Sequence, residues 1–186
     1  AVEAGILMGK ALEDFNQESI NNGLPEIKLG IGINTGPLVL GTMGANERMQ
    51  CSVLGDTVNL ASRIEQLTRG YDAQCLIGEH TFLSLDNKES LSIRMVDYVA
   101  VRGKGTAVKL YEVLDAENDE RRRSKEATKV YIQKGMEAYY SRNFTRACEL
   151  FKQALDIDPI DPVPSIFVCR SEKYIKFPPS DDWKGY

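Results

Sequence analysis

Apolar residues recur at helical spacing along the start of the chain, where Ala4, Leu7, Met8, Ala11, Leu12 and Phe15 form one stripe. This spacing predicts an amphipathic helix over about 2–21, ended by Asn22, Gly23 and Pro25, with the stripe laid on a sheet. The period then changes to two. Leu29, Ile31 and Ile33 alternate with Lys28, Gly30, Gly32 and Asn34, a strand with one nearly bare face that lets another backbone come close. Thr35, Gly36 and Pro37 turn the chain into Leu38–Thr42, expected as the hairpin partner of that strand.

Beyond the polar loop Ala45–Arg48, a short strand at about Met49–Leu54 meets Gly55 and Asp56. Asp56 is assigned as the N-cap of a helix from Thr57 to about Thr68. At about 100° per residue, Leu60, Ala61, Ile64 and Leu67 share one side of this helix, and Asn59, Ser62, Arg63 and Gln66 the other. Asn59 and Arg63 are thus neighbours one turn apart. On periodicity alone they belong to the solvated face of a core helix. A short strand over 74–77, a helix over about 79–85, and strands over 91–101 and 107–114 joined by the tight RGKGT turn complete the pattern. The order βββαβαββ after an opening helix implies an α+β sandwich.

At Asp115–Glu126 the composition shifts to a charge run, ENDERRRSKE, the usual mark of a solvated linker or helix start. Farther on, Tyr131, Gly135, Ala138, Ala147, Phe151, Ala154 and Pro159 carry the spacing of one tetratricopeptide unit, an αα-hairpin with Tyr131 and Phe151 filling its seam. One unit is too few to stand alone, so the hairpin is expected to dock on the preceding domain or on a second subunit. Pro178, Pro179 and the tail to Tyr186 read as extended, pinned by Trp183.

Composition narrows the classes. With 186 residues, 42% hydrophobic and 27% charged, the chain can build one sizeable core and a small appendage. A net charge of -4 argues against a nucleic-acid polymer as partner, which would require a basic stripe. Cys51, Cys75, Cys148 and Cys169 are far apart and form no CxxC pair, so reduced thiols and a cytoplasmic setting are the default. His80 is the sole histidine and is placed at the surface, which nearly excludes Ser-His-Asp chemistry. No apolar run approaches the roughly 20 residues of a membrane span. The chain opens on Ala1, which suggests a piece of a longer protein, one that upstream sequence could anchor to a membrane.

Two phosphate-loop motifs fail on inspection. Gly30, Gly32 and Gly36 are spaced GxGxxxG and lead into a strand, whereas a dinucleotide fingerprint is GxGxxG opening a helix. The stretch from Gly36 to Thr42 lacks the lysine of a Walker A loop.

Three motifs in order, GIGINTGPLVLGTMG, LGDTVNLASRIE and VRGKGTAVKLYEV, resemble the C-terminal part of class III nucleotidyl cyclase catalytic domains, over about Ala1 to Val113. The resemblance implies a ferredoxin-like α+β cyclase sandwich, incomplete at its N-terminus, over 1–115. The linker then falls at 116–126 and the tetratricopeptide-like hairpin with its tail at 127–186. It also implies formation of a 3',5'-cyclic nucleotide and pyrophosphate from a nucleoside triphosphate. Arg63 matches the arginine that stabilises charge on the α-phosphoryl oxygens, and Asn59 the residue that holds the ribose. Arg102 stands where the family usually places a lysine against the terminal phosphates; its other reading, shared with Lys104, is a solvated turn. Ser52 stands where relatives place Asp or Thr against adenine, or Cys against guanine. A serine hydroxyl donates and accepts, so it does not choose the base alone, but it is nearer to Thr. ATP and cyclic AMP are therefore expected.

In the family, two metal-binding aspartates and a base-reading lysine lie upstream of the helix with which this chain begins. Asp14 is no substitute, because it faces away from the Leu7, Ala11 and Phe15 stripe. The expectation is a partial site: Mg²⁺ or Mn²⁺ is needed by the complete enzyme, its ligands are absent here, and the chain alone is inactive. Class III sites are composites across a dimer, so self-association is expected. Alternatives are a non-catalytic dimerisation or binding module, and a guanylate cyclase.

Overall fold

The computed structural model describes residues 1–43, 50–100 and 107–185. Helix α1 (Val2–Asn21) leads to strands β1 (Ile31–Ile33), β2 (Val39–Met43) and β3 (Gln50–Leu54), then to helix α2 (Asp56–Leu67). Strand β4 (Cys75–Gly78), the short helix α3 (Glu79–Leu83), and strands β5 (Ile93–Ala100) and β6 (Ala107–Val113) follow. Three helices close the described chain: α4 (Asp119–Tyr140), α5 (Phe144–Ile157) and α6 (Pro162–Lys176).

The main sheet runs β1-β4-β6-β5. β1 lies parallel to β4, and β6 is antiparallel to both β4 and β5. β2 and β3 form a separate antiparallel pair, with Val39 opposite Leu54 and Met43 opposite Gln50. This corrects the expected β1–β2 hairpin. The Thr35–Pro37 turn carries the chain out of the main sheet, and the alternation in β1 is satisfied by β4 across it.

β4 is central and buried along its whole length, which separates two cores by strand alternation. On one face Cys75 and Ile77 join Ile93 and Val113 with Val2 of α1. On the other, Leu76, Leu110 and Val96 pack with Ile64 of α2 and with Ile132, Met136, Tyr139, Phe151 and Phe167 of the C-terminal helices. The two arms of the chain therefore share one core with α2.

α1 does cover the sheet, but with the opposite side to the one expected. Its buried face is Val2, Gly5 and Gly9, where the small residues bring the helix against Cys75, Ile31 and Ile33 and against the backbone of Ala116. Leu7, Met8 and Phe15 stay 49–66% exposed. Hydrophobic periodicity finds a stripe but not what it faces, and close packing here selected the glycines instead. The β2–β3 pair is also apolar outside, with Leu38, Val39 and Leu40 at 51–66% exposure.

Residues 116–126, expected as a charged linker, contain the first turns of α4, capped by the side chain of Asn118 on the Arg121 amide. Lys125 is wholly buried, because its charge is met by the carboxylates of Glu112 on β6 and of Glu117 in the turn before α4 rather than by water. α4 and α5 pair through Gly135, where an added Cβ would come within 2.8 Å of the Phe151 ring. Only glycine allows that approach. The third helix, α6, was not expected. Beyond it Trp183 seats among Tyr139, Phe144 and Tyr174 at centroid distances of 5.4–5.6 Å, and Arg142 donates to the carbonyls of Pro179 and Ser180.

Candidate active site

α2 carries the candidate chemistry, and its position follows from the strand beneath it. An added Cβ at Gly32 of β1 would meet the carbonyl oxygen of Ala61 at 2.5 Å and Cα of Glu65 at 2.8 Å, so strand and helix backbones touch where any side chain would hold them apart. Leu60, Ile64 and Leu67 turn toward the core, Ile64 being 1% exposed. Asn59 and Arg63 are both exposed on the other side, one helical turn apart.

The start of α2 is tied to the turn after β1. Asn34 donates through Nδ2 to the Thr57 carbonyl at 3.3 Å, and the Thr57 hydroxyl donates to the Pro37 carbonyl at 2.8 Å. The N-cap position falls to Gly55, with φ of 151°, and Asp56 is the first helical residue, a correction to its expected capping role. An aspartate in the first turn still opposes the positive end of the helix dipole.

Ser52 lies half-buried on β3, opposite Gly41, on the strand that feeds α2. Arg102 and Lys104 lie outside the described residues. His80 is exposed, as is Asp14. The structure thus brings Asn59 and Arg63 onto one exposed face and sets Ser52 at the strand leading to it.

Sequence reasoning missed the charged groups around the far end of this helix. Arg94 and Glu112 are cross-strand partners in β5 and β6, joined Nε to Oε2 at 2.7 Å, and both are buried. Arg94 also pairs with Asp161, the N-cap of α6, and Lys125 of α4 reaches Glu112 at 2.6 Å. Burial raises the Glu112 carboxyl above the ordinary carboxylate range, while Arg94 and Lys125 pull it back. The available signal was a pair of charged residues at positions of buried strands where alternation calls for apolar ones.

Among the described residues no group of three or more His, Cys, Asp or Glu could hold a metal ion, and no helix is long and apolar enough to cross a membrane. The residues described do not fit a metal centre of their own.

Comparison with known proteins agrees with this architecture. Residues 1–114 match the adenylate and guanylate cyclase catalytic domain family. The chain is 35% identical over 177 residues to the terminal-differentiation-specific adenylate cyclase of Dictyostelium discoideum, covering 95% of this chain and 8% of that protein. It is 46% identical over 118 residues to an adenylate cyclase of Anabaena cylindrica, covering 61% of this chain and 24% of that one. Among solved structures it is similar to the adenylyl cyclase CyaB from P. aeruginosa, with 33% identity, a TM-score of 0.55, and coverage of 64% and 59% of the two chains. The guanylyl cyclase Cya2 follows, with 34% identity, a TM-score of 0.50, and coverage of 61% and 56%. The chain spans less than a quarter of the length of the two curated relatives. With its mixed sheet, its glycine-strand contact with α2 and its match from Ala1 through Leu114, the chain belongs to the adenylate and guanylate cyclase catalytic domain family.

Proposed function

We propose that this chain supplies the Asn-Arg half of a composite site that forms cyclic AMP and pyrophosphate from ATP. The reading rests on one observation: Asn59 and Arg63 stand exposed, one turn apart, on a helix whose opposite side is fixed by Gly32 and Ile64. In the reaction the ribose 3'-oxygen attacks the α-phosphorus, its proton leaves, and the bond to the β-phosphate oxygen breaks to release pyrophosphate. Arg63 holds a fixed positive charge at the α-phosphoryl oxygens as negative charge builds there. Asn59 holds the ribose, so the attacking oxygen stays in line. Ser52 contacts the base and Arg102 the terminal phosphates. The complete enzyme uses Mg²⁺ or Mn²⁺, and its ligands belong to another segment. The complement comes from a second chain, and the outward stripe of Leu7, Met8 and Phe15 with the apolar β2–β3 pair supports self-association. The C-terminal helices are read as a tetratricopeptide-like unit docked on the domain.

The test is co-expression with a longer cyclase chain whose counterparts of Asn59 and Arg63 are replaced. Cyclic AMP formation in the mixture and none from the 186-residue chain alone is expected. Activity of the mixture with Arg63→Ala in this chain would overturn the reading. The similarity to a guanylyl cyclase favours a second reading, which equal or greater turnover of GTP would establish.

A further inference from the structure

The loop that ends α2 is held from the C-terminal helices on two sides. Tyr71 bonds back to the last turn of α2 through its amide, which donates to the Leu67 carbonyl at 3.2 Å. Its hydroxyl donates at 2.5 Å to Oδ2 of Asp97 on β5, and Asp97 in turn accepts both arms of the Arg170 guanidinium of α6, each at 2.8 Å. Asp97 is fully shielded from solvent. Burial and the Asp97 charge raise the Tyr71 phenol above its ordinary value, so it keeps the proton it donates. The next residue, Asp72, has a left-handed backbone with φ of 45°. Its carbonyl accepts from Lys125 Nζ of α4 at 2.5 Å, and its carboxylate meets Arg121 of α4 at 3.2 Å. Two residues on, the Gln74 amide donates at 3.0 Å to Glu117, which also binds Lys125.

Apart from the Tyr71 amide, the polar anchors of residues 71–74 just described lead to, or through, α4, α6 or the turn before them. A strained backbone at Asp72 persists only while its surroundings over-determine it. We propose that the C-terminal helices set the order and position of α2, with Tyr71 and Arg170 as positioning residues for Asn59 and Arg63. In physical terms, the bidentate Arg170–Asp97 pair gives the Tyr71 hydroxyl an acceptor that cannot rotate away. The 71–74 loop then fixes the C-terminal end of α2 while Gly32 and the Asn34–Thr57 contact fix its middle and start. Loss of the Tyr71–Asp97–Arg170 contacts, with the rest of α6 in place, would release one end of the helix only, shifting Arg63 and Asn59 without unfolding the sheet. Such a shift costs turnover rather than binding, because in-line geometry is lost before nucleotide contact is. The consequence for activity rests on the cyclase reading above; the consequence for α2 does not.

The test uses hydrogen-deuterium exchange on the intact 186-residue chain, followed by turnover in the complemented assembly. Tyr71→Phe removes one hydroxyl and leaves Asp97 paired with Arg170, so the fold survives. Arg170→Ala removes the far end of the chain of contacts, and Arg170→Lys retains a charge for Asp97. Arg142→Ala, which loosens the Trp183 tail, serves as a control for general loosening of the helices. Exchange over residues 56–72 should rise about tenfold in Tyr71→Phe and Arg170→Ala, the order of effect of a lost hydrogen bond to a charged group. It should recover in part in Arg170→Lys and stay unchanged in Arg142→Ala. Turnover of the assembly should fall in the same rank, with KM within about twofold. Unchanged exchange over 56–72 in Tyr71→Phe and Arg170→Ala overturns the proposal. So does loosened exchange with full turnover in an assembly that Arg63→Ala inactivates. An assembly indifferent to Arg63→Ala refutes the cyclase reading instead, and exchange still decides the coupling.

Discussion

Lys125 of α4 places its ammonium 2.6 Å from a carboxylate oxygen of Glu112 on β6, with both side chains wholly shielded from solvent. The pair joins a helix beyond the matched family region to a strand inside it. Lys125→Ala would leave Glu112 with Arg94 alone, Glu117 with only the Gln74 amide, and the Asp72 carbonyl without the Lys125 ammonium. Breaking a buried pair from one side costs about 3 to 5 kcal/mol. Urea unfolding of the variant should show that loss across the whole chain as a single transition; a separate early transition of the helices alone would mean that the two regions fold independently.

Arg63→Ala should lower turnover of the complemented assembly by about 10²–10³, or roughly 2.7 to 4 kcal/mol, the effect of losing one preorganised donor. Nucleotide binding should weaken far less, because the contact strengthens mainly in the transition state. Steady-state kinetics with ATP check this, and near wild-type turnover would remove Arg63 from the chemistry.

Phe151 is fully buried and stacks on Phe167 at 4.9 Å while filling the hollow above Gly135. Phe151→Ala should cost about 3 to 5 kcal/mol, since the surrounding rings cannot close the cavity. Thermal unfolding is the measurement, and an unaltered midpoint would contradict this packing.

The Cys75 thiol is pushed up to about 12 by burial, then by the nearby Glu112 and Glu117 carboxylates. A thiol that keeps its proton is a poor nucleophile. In the folded chain at pH 8, iodoacetamide should label exposed Cys169 and leave Cys75 untouched, with Cys75 labelled only after unfolding. Peptide mass spectrometry separates the two sites, and rapid labelling of native Cys75 would show that this core opens.

Much of the domain was legible in the pattern of residues. The bare face of β1, the period of α2, and the sides taken by Ile64 and Arg63 follow from spacing that local geometry dictates. The pairing of β1 with β4 was not legible, because it depends on a partner more than forty residues along, as Ile31 opposite Cys75 records. The packing side of α1 was misread for a different reason: Gly5 and Gly9 carry no hydrophobic signal yet make the closest approach. Lys125 looked like part of a solvated run because nothing local marks the carboxylates that receive it. In the candidate site, the relation of Asn59 to Arg63 was readable from one helix. The support of α2 by Tyr71, Asp97 and Arg170 draws on three separate elements and was not.

The contact between Arg94 and Asp161 closes 67 residues of chain, and its consequence is one of timing. A ribosome delivers Arg94 and Glu112 well before Asp161, and the sheet face they occupy, covered in part by α2, α4 and α5, is not closed until α6 begins. Closing so long a loop is slow relative to local helix formation. Nascent chains arrested before residue 161 should therefore be cut readily by protease within β5 and β6, and chains arrested far enough beyond Lys176 to free α6 should resist. Synthesis of this domain is completed from its C-terminal side, so a truncation there acts on strands made long before it.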